Sequence, residues 1–300
     1  MTRIFLAAIL AATCTLAQPR LEGPTAGFVF DAAARQVRAI RGIVGTGAYL
    51  GGSLIEDANA ASVSPDGKLA VAAHDGKLSL IRAFDSEAAE DLSLGDAPEG
   101  QLTFTWSGHD LAVVAAGRAM IWRDLASDTS LDGTWDLSVV EGAVSAALLD
   151  GSRLAIASKG GLYVAGADGA RLVKQMNDPA ALTSAGGDLY VADRGANEIW
   201  QIVDYSAPVL FSELSSPVGL QVSKGRLLAA SAESRSVAIF DLASHARLGG
   251  FDLEFEPTRM EALGSRPLAL LNAPSPGEPL WVLDSGDTPA VYFVPAGREQ

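Results

Sequence analysis

One short apolar segment recurs along the whole chain, and its spacing limits what the chain can fold into. The copies are Phe28-Val29-Phe30, Leu69-Ala70-Val71, Leu111-Ala112-Val113, Leu154-Ala155-Ile156, Leu189-Tyr190-Val191, Leu227-Leu228-Ala229 and Leu280-Trp281-Val282. From first residue to first residue the steps are 41, 42, 43, 35, 38 and 53 residues, averaging 42. About five to seven residues after each segment comes a second apolar run, such as Leu78 to Ile81, Ile199 to Ile202 or Val237 to Phe240. The connections between them are rich in Gly, Asn and Asp, which tolerate positive φ, so each pair reads as a hairpin.

Upstream of six of the seven hairpins lies a weaker strand: Ala60 to Val63, Leu102 to Trp106, Val144 to Leu149, Ala180 to Thr183, Val218 to Val222 and Met260 to Leu263. Each ends in a turn, including Pro65-Asp66-Gly67, Ser107-Gly108-His109-Asp110, Asp150-Gly151, Gly186-Gly187-Asp188 and Lys224-Gly225. Glycine at one phase of so many repeats serves backbone geometry rather than packing. No unit sustains an apolar pattern at i, i+3, i+4, i+7, so the repeats are all-β. A period near 42 residues holding about four antiparallel strands selects a β-propeller over a sandwich or barrel. Strand arithmetic favours seven blades, with six as the alternative. In the seven-blade reading one blade is built from both chain ends, pairing the Phe28 region with Val291 to Val294 and so hiding exposed edges.

The start of the chain reads differently. Met1-Thr2-Arg3, the apolar run Ile4 to Ala12 and Thr15-Leu16-Ala17 match a secretory signal over residues 1–17, leaving 18–300 as a single propeller domain. The expected location is therefore periplasmic or secreted; a lipid anchor through Cys14 is the alternative. The apolar run is far short of the ~20 residues that span a bilayer, and no later stretch supplies a membrane span. Cys14 is the sole cysteine, which excludes a disulfide framework and multi-cysteine zinc sites. With 22 basic against 36 acidic residues the chain carries a formal −14, which repels phosphate backbones and argues against nucleic acid as a partner.

Ser64-Pro65-Asp66-Gly67-Lys68-Leu69-Ala70-Val71 resembles the blade turn of WD40-like and YVTN-type propellers. Asn177-Asp178-Pro179-Ala180-Ala181-Leu182, with Gly187 to Asp193 and Asn197 to Ile202, resembles an NHL-type blade. The similarity spans roughly residues 26–297, the 177–203 blade matching best. The Gly-His and Trp-Asp pairs of true WD40 repeats are missing, so the hydrogen-bonded tetrad of that family does not carry over. The resemblance implies a fold.

Chemistry is sparsely signalled. His74, His109 and His245 fall in turns and polar segments, where solvated loop histidines are expected, and no HExxH, GxSxG, Walker or EF-hand pattern occurs. Gly42-Ile43-Val44-Gly45-Thr46-Gly47 reads as a loop. Asp31, Asp193 and Asp284 each follow a first hairpin strand, a phase that would aim all three at one face of the disk. There they could hold Ca²⁺, with Asn177, Asp178 and Asn272 contributing; otherwise each accepts backbone N–H groups in its own turn. Trp122, Trp200 and Trp281 lie within strands and belong to the core. Trp106 and Trp135, nearer strand ends, are the candidates for an exposed ligand-binding surface.

The expected function is an exported, non-catalytic propeller scaffold that binds a protein or a small ligand and needs no cofactor. The alternatives are a metal-dependent hydrolase resembling the gluconolactonase and paraoxonase type, with channel carboxylates on a metal, and a glycan-binding propeller using Trp106 or Trp135.

Overall fold

The computed structural model describes residues 23–296 apart from Glu87, Ala116 and 150–152. The signal segment 1–17, Cys14 and the Asp150-Gly151 turn therefore lie outside the described residues. Those described form 27 strands in seven antiparallel sheets. Six sheets have four strands and the first has three, and in each the strands neighbour one another in chain order. The sheets cover 25–55, 60–96, 103–136, 143–175, 179–213, 217–252 and 261–294, and are numbered here as blades 1 to 7.

What makes the sheets a ring is the way their apolar residues divide. Among the described residues there are seven hydrophobic clusters, and each joins two blades that are neighbours in the ring. Leu69, Val71, Leu78 and Leu80 of blade 2 pack with Leu111, Val113 and Trp122 of blade 3. The series runs through blades 3 and 4, 4 and 5, 5 and 6, and 6 and 7. Blades 1 and 2 share one around Val37, Ala70, Ala72 and Phe84. The last closes the circle, setting Ala26, Val29 and Ile40 of blade 1 against Leu268, Leu270, Leu280 and Val282 of blade 7. A buried leucine or isoleucine is worth ~1.5–3 kcal/mol, so every junction is a core layer in its own right.

The second strand of each blade is the most deeply buried. Leu154–Ser158 is buried throughout, and Leu69–His74 and Asp188–Asp193 are buried at all but one terminal residue. A strand covered on both faces reads as a continuous apolar run, which is why these segments stood out in the sequence. The inner turns use glycine as expected: Gly67, Gly225 and Gly264 all have φ of 73°. At Gly67 a Cβ would also stand 2.8 Å from the Phe28 ring of blade 1, so the turn packs on its neighbour only because no side chain is there.

Two expectations need correction. Closure does not use a shared blade: the strand Ala290–Val294 pairs with Leu280–Asp284 inside blade 7, and Thr25–Asp31 pairs with Gln36–Arg41 inside blade 1. The ends meet through the shared apolar layer and the Leu50 N–H donating to Pro295 C=O at 3.3 Å. Among the described residues no inner strand precedes Thr25–Asp31 in its sheet, matching the one hairpin without an upstream strand in the sequence. Second, the second strand of blade 7 is Leu268–Leu270, and Leu280–Asp284 is the third. Leu227 to Leu268 is 41 residues, which removes the anomalous step of 53. The long connection between them holds Pro274, Pro276 and Pro279, which cannot donate to a ladder. It is closed at its base by Asn272, whose Nδ2 donates to Pro279 C=O at 3.0 Å and whose Oδ1 accepts from the Trp281 N–H at 2.8 Å.

Candidate functional site

The carboxylates offered as metal ligands are structural caps. Asp193 ends the second strand of blade 5 and is 2% exposed. Its Oδ1 accepts from the Asp178 N–H at 2.9 Å and the Ala196 N–H at 3.2 Å, and its Oδ2 from the Asn177 N–H at 2.9 Å. One side chain thereby ties the incoming connection of blade 5 to its hairpin turn. Asp31, at the same place in blade 1, accepts from the Ala33 and Ala34 N–H groups at 3.1 and 3.0 Å. Ser231 fills this position in blade 6, donating to Ser215 C=O at 2.5 Å and accepting from the Ser234 N–H at 3.2 Å.

Asp284 is elsewhere. It pairs in register with Leu268 at the start of the preceding strand, whereas Asp31 and Asp193 pair with Gln36 and Glu198 at the start of the following one. Strand direction reverses between neighbours in an antiparallel sheet, so Asp284 lies on the opposite face of the disk. The common phase read from the sequence rested on counting Leu280–Asp284 as a second strand. Asp284 Oδ1 accepts from the Gly286 N–H at 2.9 Å. Asp178 pairs with Arg194 Nε at 2.7 Å, and Asn272 closes its own loop. Among the described residues no three His, Cys, Asp or Glu side chains are grouped so as to hold a metal ion. The proposed Asp set does not fit Ca²⁺, which needs six to eight converging oxygens. The inner strands add little: their only charged residue is Glu261, which pairs with Arg259 at 2.8 Å.

Of the two tryptophans expected on an exposed surface, Trp135 is corrected and Trp106 is half-buried. Trp135, on the outer strand of blade 3, is 8% exposed and packs into the layer between blades 3 and 4. Strand alternation turned it inward. Trp106 lies half-buried on the inner strand of blade 3, and its Nε1 donates to Ser62 Oγ of blade 2 at 3.0 Å. It is a fastening between blades.

His109 makes a second such fastening. Its Nε2 is 3.0 Å from Asp66 Oδ2 in the inner turn of blade 2, and its Nδ1 is 3.7 Å from Asp124 Oδ1. Burial alone would raise the Asp66 pKa, but hydrogen bonds from His109, Ser64 Oγ and the Lys68 N–H outweigh it and hold the carboxyl at about 2 against the usual 3.8. His245 packs on the Phe211 ring at 4.6 Å between centroids, and His74 Nε2 lies 3.3 Å from Ser79 Oγ.

A feature the sequence did not announce is a cleft of about 930 Å³ between the outer parts of blades 5 and 6. Its blade 5 wall carries Glu198 and Glu213, which stand directly opposite each other on neighbouring strands. Its blade 6 wall is Ser234, Ser236, Gly249 and Gly250, with Asp252 and Arg247 also lining the space. The outer strand Arg247–Asp252 contributes two glycines to the lining. Gly250 is obligatory, since a Cβ there would meet Val237 C=O at 2.5 Å, while nothing lies within 4 Å of one built on Gly249. The paired glycines in Arg247-Leu248-Gly249-Gly250 were the legible signal. Below the cleft Phe211 holds the blades together, in edge contact with Tyr190 at 5.5 Å and Phe240 at 5.7 Å.

No protein-family model matches the sequence, and no match was found among curated proteins. Solved structures of similar fold are found. One is PorZ, a bacterial surface component of the type-IX secretion system of Porphyromonas gingivalis, at TM-score 0.63 and 14% identity over 93% of this chain. The chain spans 38% of the PorZ chain. Another is a chain of the mitotic checkpoint complex, at TM-score 0.59 and 13% identity over 100% of this chain and 91% of that one. The computationally designed Ika8 protein matches at TM-score 0.53 and 12% identity, covering 91% of this chain and 95% of its own. At these identities the likeness is one of fold.

Proposed function

We propose that this chain is an exported seven-bladed propeller that acts without catalysis, as a rigid scaffold presenting an inter-blade cleft to a protein or small ligand. The observation that carries the reading is how the polar groups are spent. Asp31, Asp193, Asp284 and Ser231 are engaged by turns, whereas the carboxylates of the cleft between blades 5 and 6 stand at a space of ligand size. A seven-layer core makes that space preformed, the usual basis for binding on a propeller. The metal-dependent hydrolase has less support, because its carboxylates are divided between two faces. The glycan-binding alternative has less support, because Trp135 is buried and the Trp106 Nε1 is bonded to Ser62.

Export rests on the pattern of residues 1–17, and the absence of a membrane-crossing helix among the described residues is compatible with it. The likeness to a bacterial surface component agrees with an envelope address. The test is twofold. N-terminal sequencing of protein recovered from a bacterial envelope fraction is expected to begin at Gln18. Immobilised protein is expected to retain a defined envelope component that raises its melting temperature. Retention of nothing, with no melting shift from any fraction, would overturn the binding reading.

A further inference from the structure

We infer that the cleft between blades 5 and 6 docks an extended segment of a partner protein by taking one of its lysine or arginine side chains between Glu198 and Glu213. This rests on the reading of the chain as a binding propeller and names the chemistry of what is bound. Glu198 on the strand Glu198–Val203 and Glu213 on the strand Ala207–Glu213 are in direct register, so two carboxylates share one face of the sheet. Like charges directly opposite across a ladder are destabilising. Some acidic side chains of this molecule are matched locally, such as Asp178 by Arg194, Asp110 by Arg123 and Glu261 by Arg259. In the cleft, Glu198, Glu213 and Asp252 have no ion-pair partner among the described residues, and Glu198 accepts only from Trp200 Nε1, at 2.8 Å.

The counter-charge this arrangement lacks is a side chain rather than a metal. No three acidic groups converge closely enough to coordinate an ion. An ammonium or guanidinium group instead reaches two separated carboxylates through hydrogen bonds of ~2.7–2.9 Å at the end of a long apolar stem. The facing wall suits the rest of such a segment: Ser234 and Ser236 offer hydroxyls, and Gly249 and Gly250 leave bare backbone. Leu214 and Phe251 add the apolar part of the lining beside the charged centre. Arg247 is the one cation of the chain lining the cleft, with its Nε 3.5 Å from Gly249 C=O, so it competes weakly with an incoming cation.

The probe is a fluorescent eight-residue peptide of alternating threonine and valine with two lysines at its centre, beside a twin carrying glutamates, both followed by anisotropy into the millimolar range. The lysine peptide is expected to bind saturably and to weaken as salt rises from 50 to 500 mM, with the glutamate twin silent. The Glu198→Gln/Glu213→Gln pair is expected to weaken binding about tenfold and Glu213→Lys to abolish it, both with a melting temperature equal to or above that of the parent because the facing charges are relieved, and Arg247→Ala to tighten it. Failure of the lysine peptide to bind, equal binding of the twin, or indifference to the glutamate substitutions would overturn the proposal. So would self-association that Glu213→Lys abolishes in the absence of peptide binding, which would assign the cleft to a second copy. A docking failure with retention of an envelope component leaves the scaffold reading standing, whereas loss of both removes it.

Discussion

The junction of blades 2 and 3 and that of blades 5 and 6 occupy equivalent places in the ring and are built oppositely. Blades 2 and 3 are fastened at three depths: Trp106 Nε1 to Ser62 Oγ on the inner strands, His109 to Asp66 at the inner turns, and Arg82 to Leu125 C=O at 3.1 Å further out. Blades 5 and 6 are joined by aromatic packing around Phe211 and part above it, where Gly249 and Gly250 supply no side chains. The difference teaches that a propeller need not be fastened by the same means at every junction: the inner strands of blades 5 and 6 lie close together, whereas those of blades 2 and 3 are bridged by side chains. One apolar layer is enough to hold two blades, and the polar fastenings can be omitted where an opening is wanted.

The contrast can be broken most sharply at Phe211. Phe211→Ala removes a buried ring touching Tyr190, Phe240 and His245 and is expected to cost about 3–5 kcal/mol in denaturant unfolding. A cost below 1 kcal/mol would mean that blades 5 and 6 are held by something else. Asp193→Ala comes next, because it strands the Asn177, Asp178 and Ala196 N–H groups in a nearly closed turn. About 2 kcal/mol is expected, together with faster amide exchange at those three positions.

The fastened junction is tested by acid. The Asp66 carboxyl is held at about 2, below its ordinary 3.8, so its contribution is complete above pH 4 and is lost as pH falls toward 2. The side chain is partly exposed, so solvent screening reduces the effect to about 1 kcal/mol. His109→Ala is expected to flatten the stability profile across that window, and an unchanged profile would show that the bridge contributes nothing. Smallest is Trp106→Phe, which keeps the ring but removes the bond to Ser62. About 1 kcal/mol or less is expected, read from the denaturant midpoint.

Much of the fold was legible because the residues responsible act locally. The second strands announce themselves as unbroken apolar runs, and Gly67, Gly225 and Gly264 mark turns that only a positive φ allows. Blade 7 was misread because both Leu268–Leu270 and Leu280–Asp284 are true apolar strands, and the proline-rich loop between them hides which comes second. That shift by one strand carried Asp284 to the wrong face. Trp135 was misplaced for a simpler reason: nearness to a strand end says nothing about which side of the sheet a ring takes. Of the cleft only the glycine pair was readable, since the opposition of Glu198 and Glu213 depends on a register shift between Ile199 and Trp200 that follows from the assembled sheet.

Hydrogen–deuterium exchange with and without the lysine peptide tests the central claim most directly, because it reports every junction at once. Protection is expected at Glu213–Ser215 and Gly249–Asp252, with blades 2 and 3 unchanged. Protection confined to the junction of blades 2 and 3, or none at any saturating concentration, would contradict the division of labour between the two.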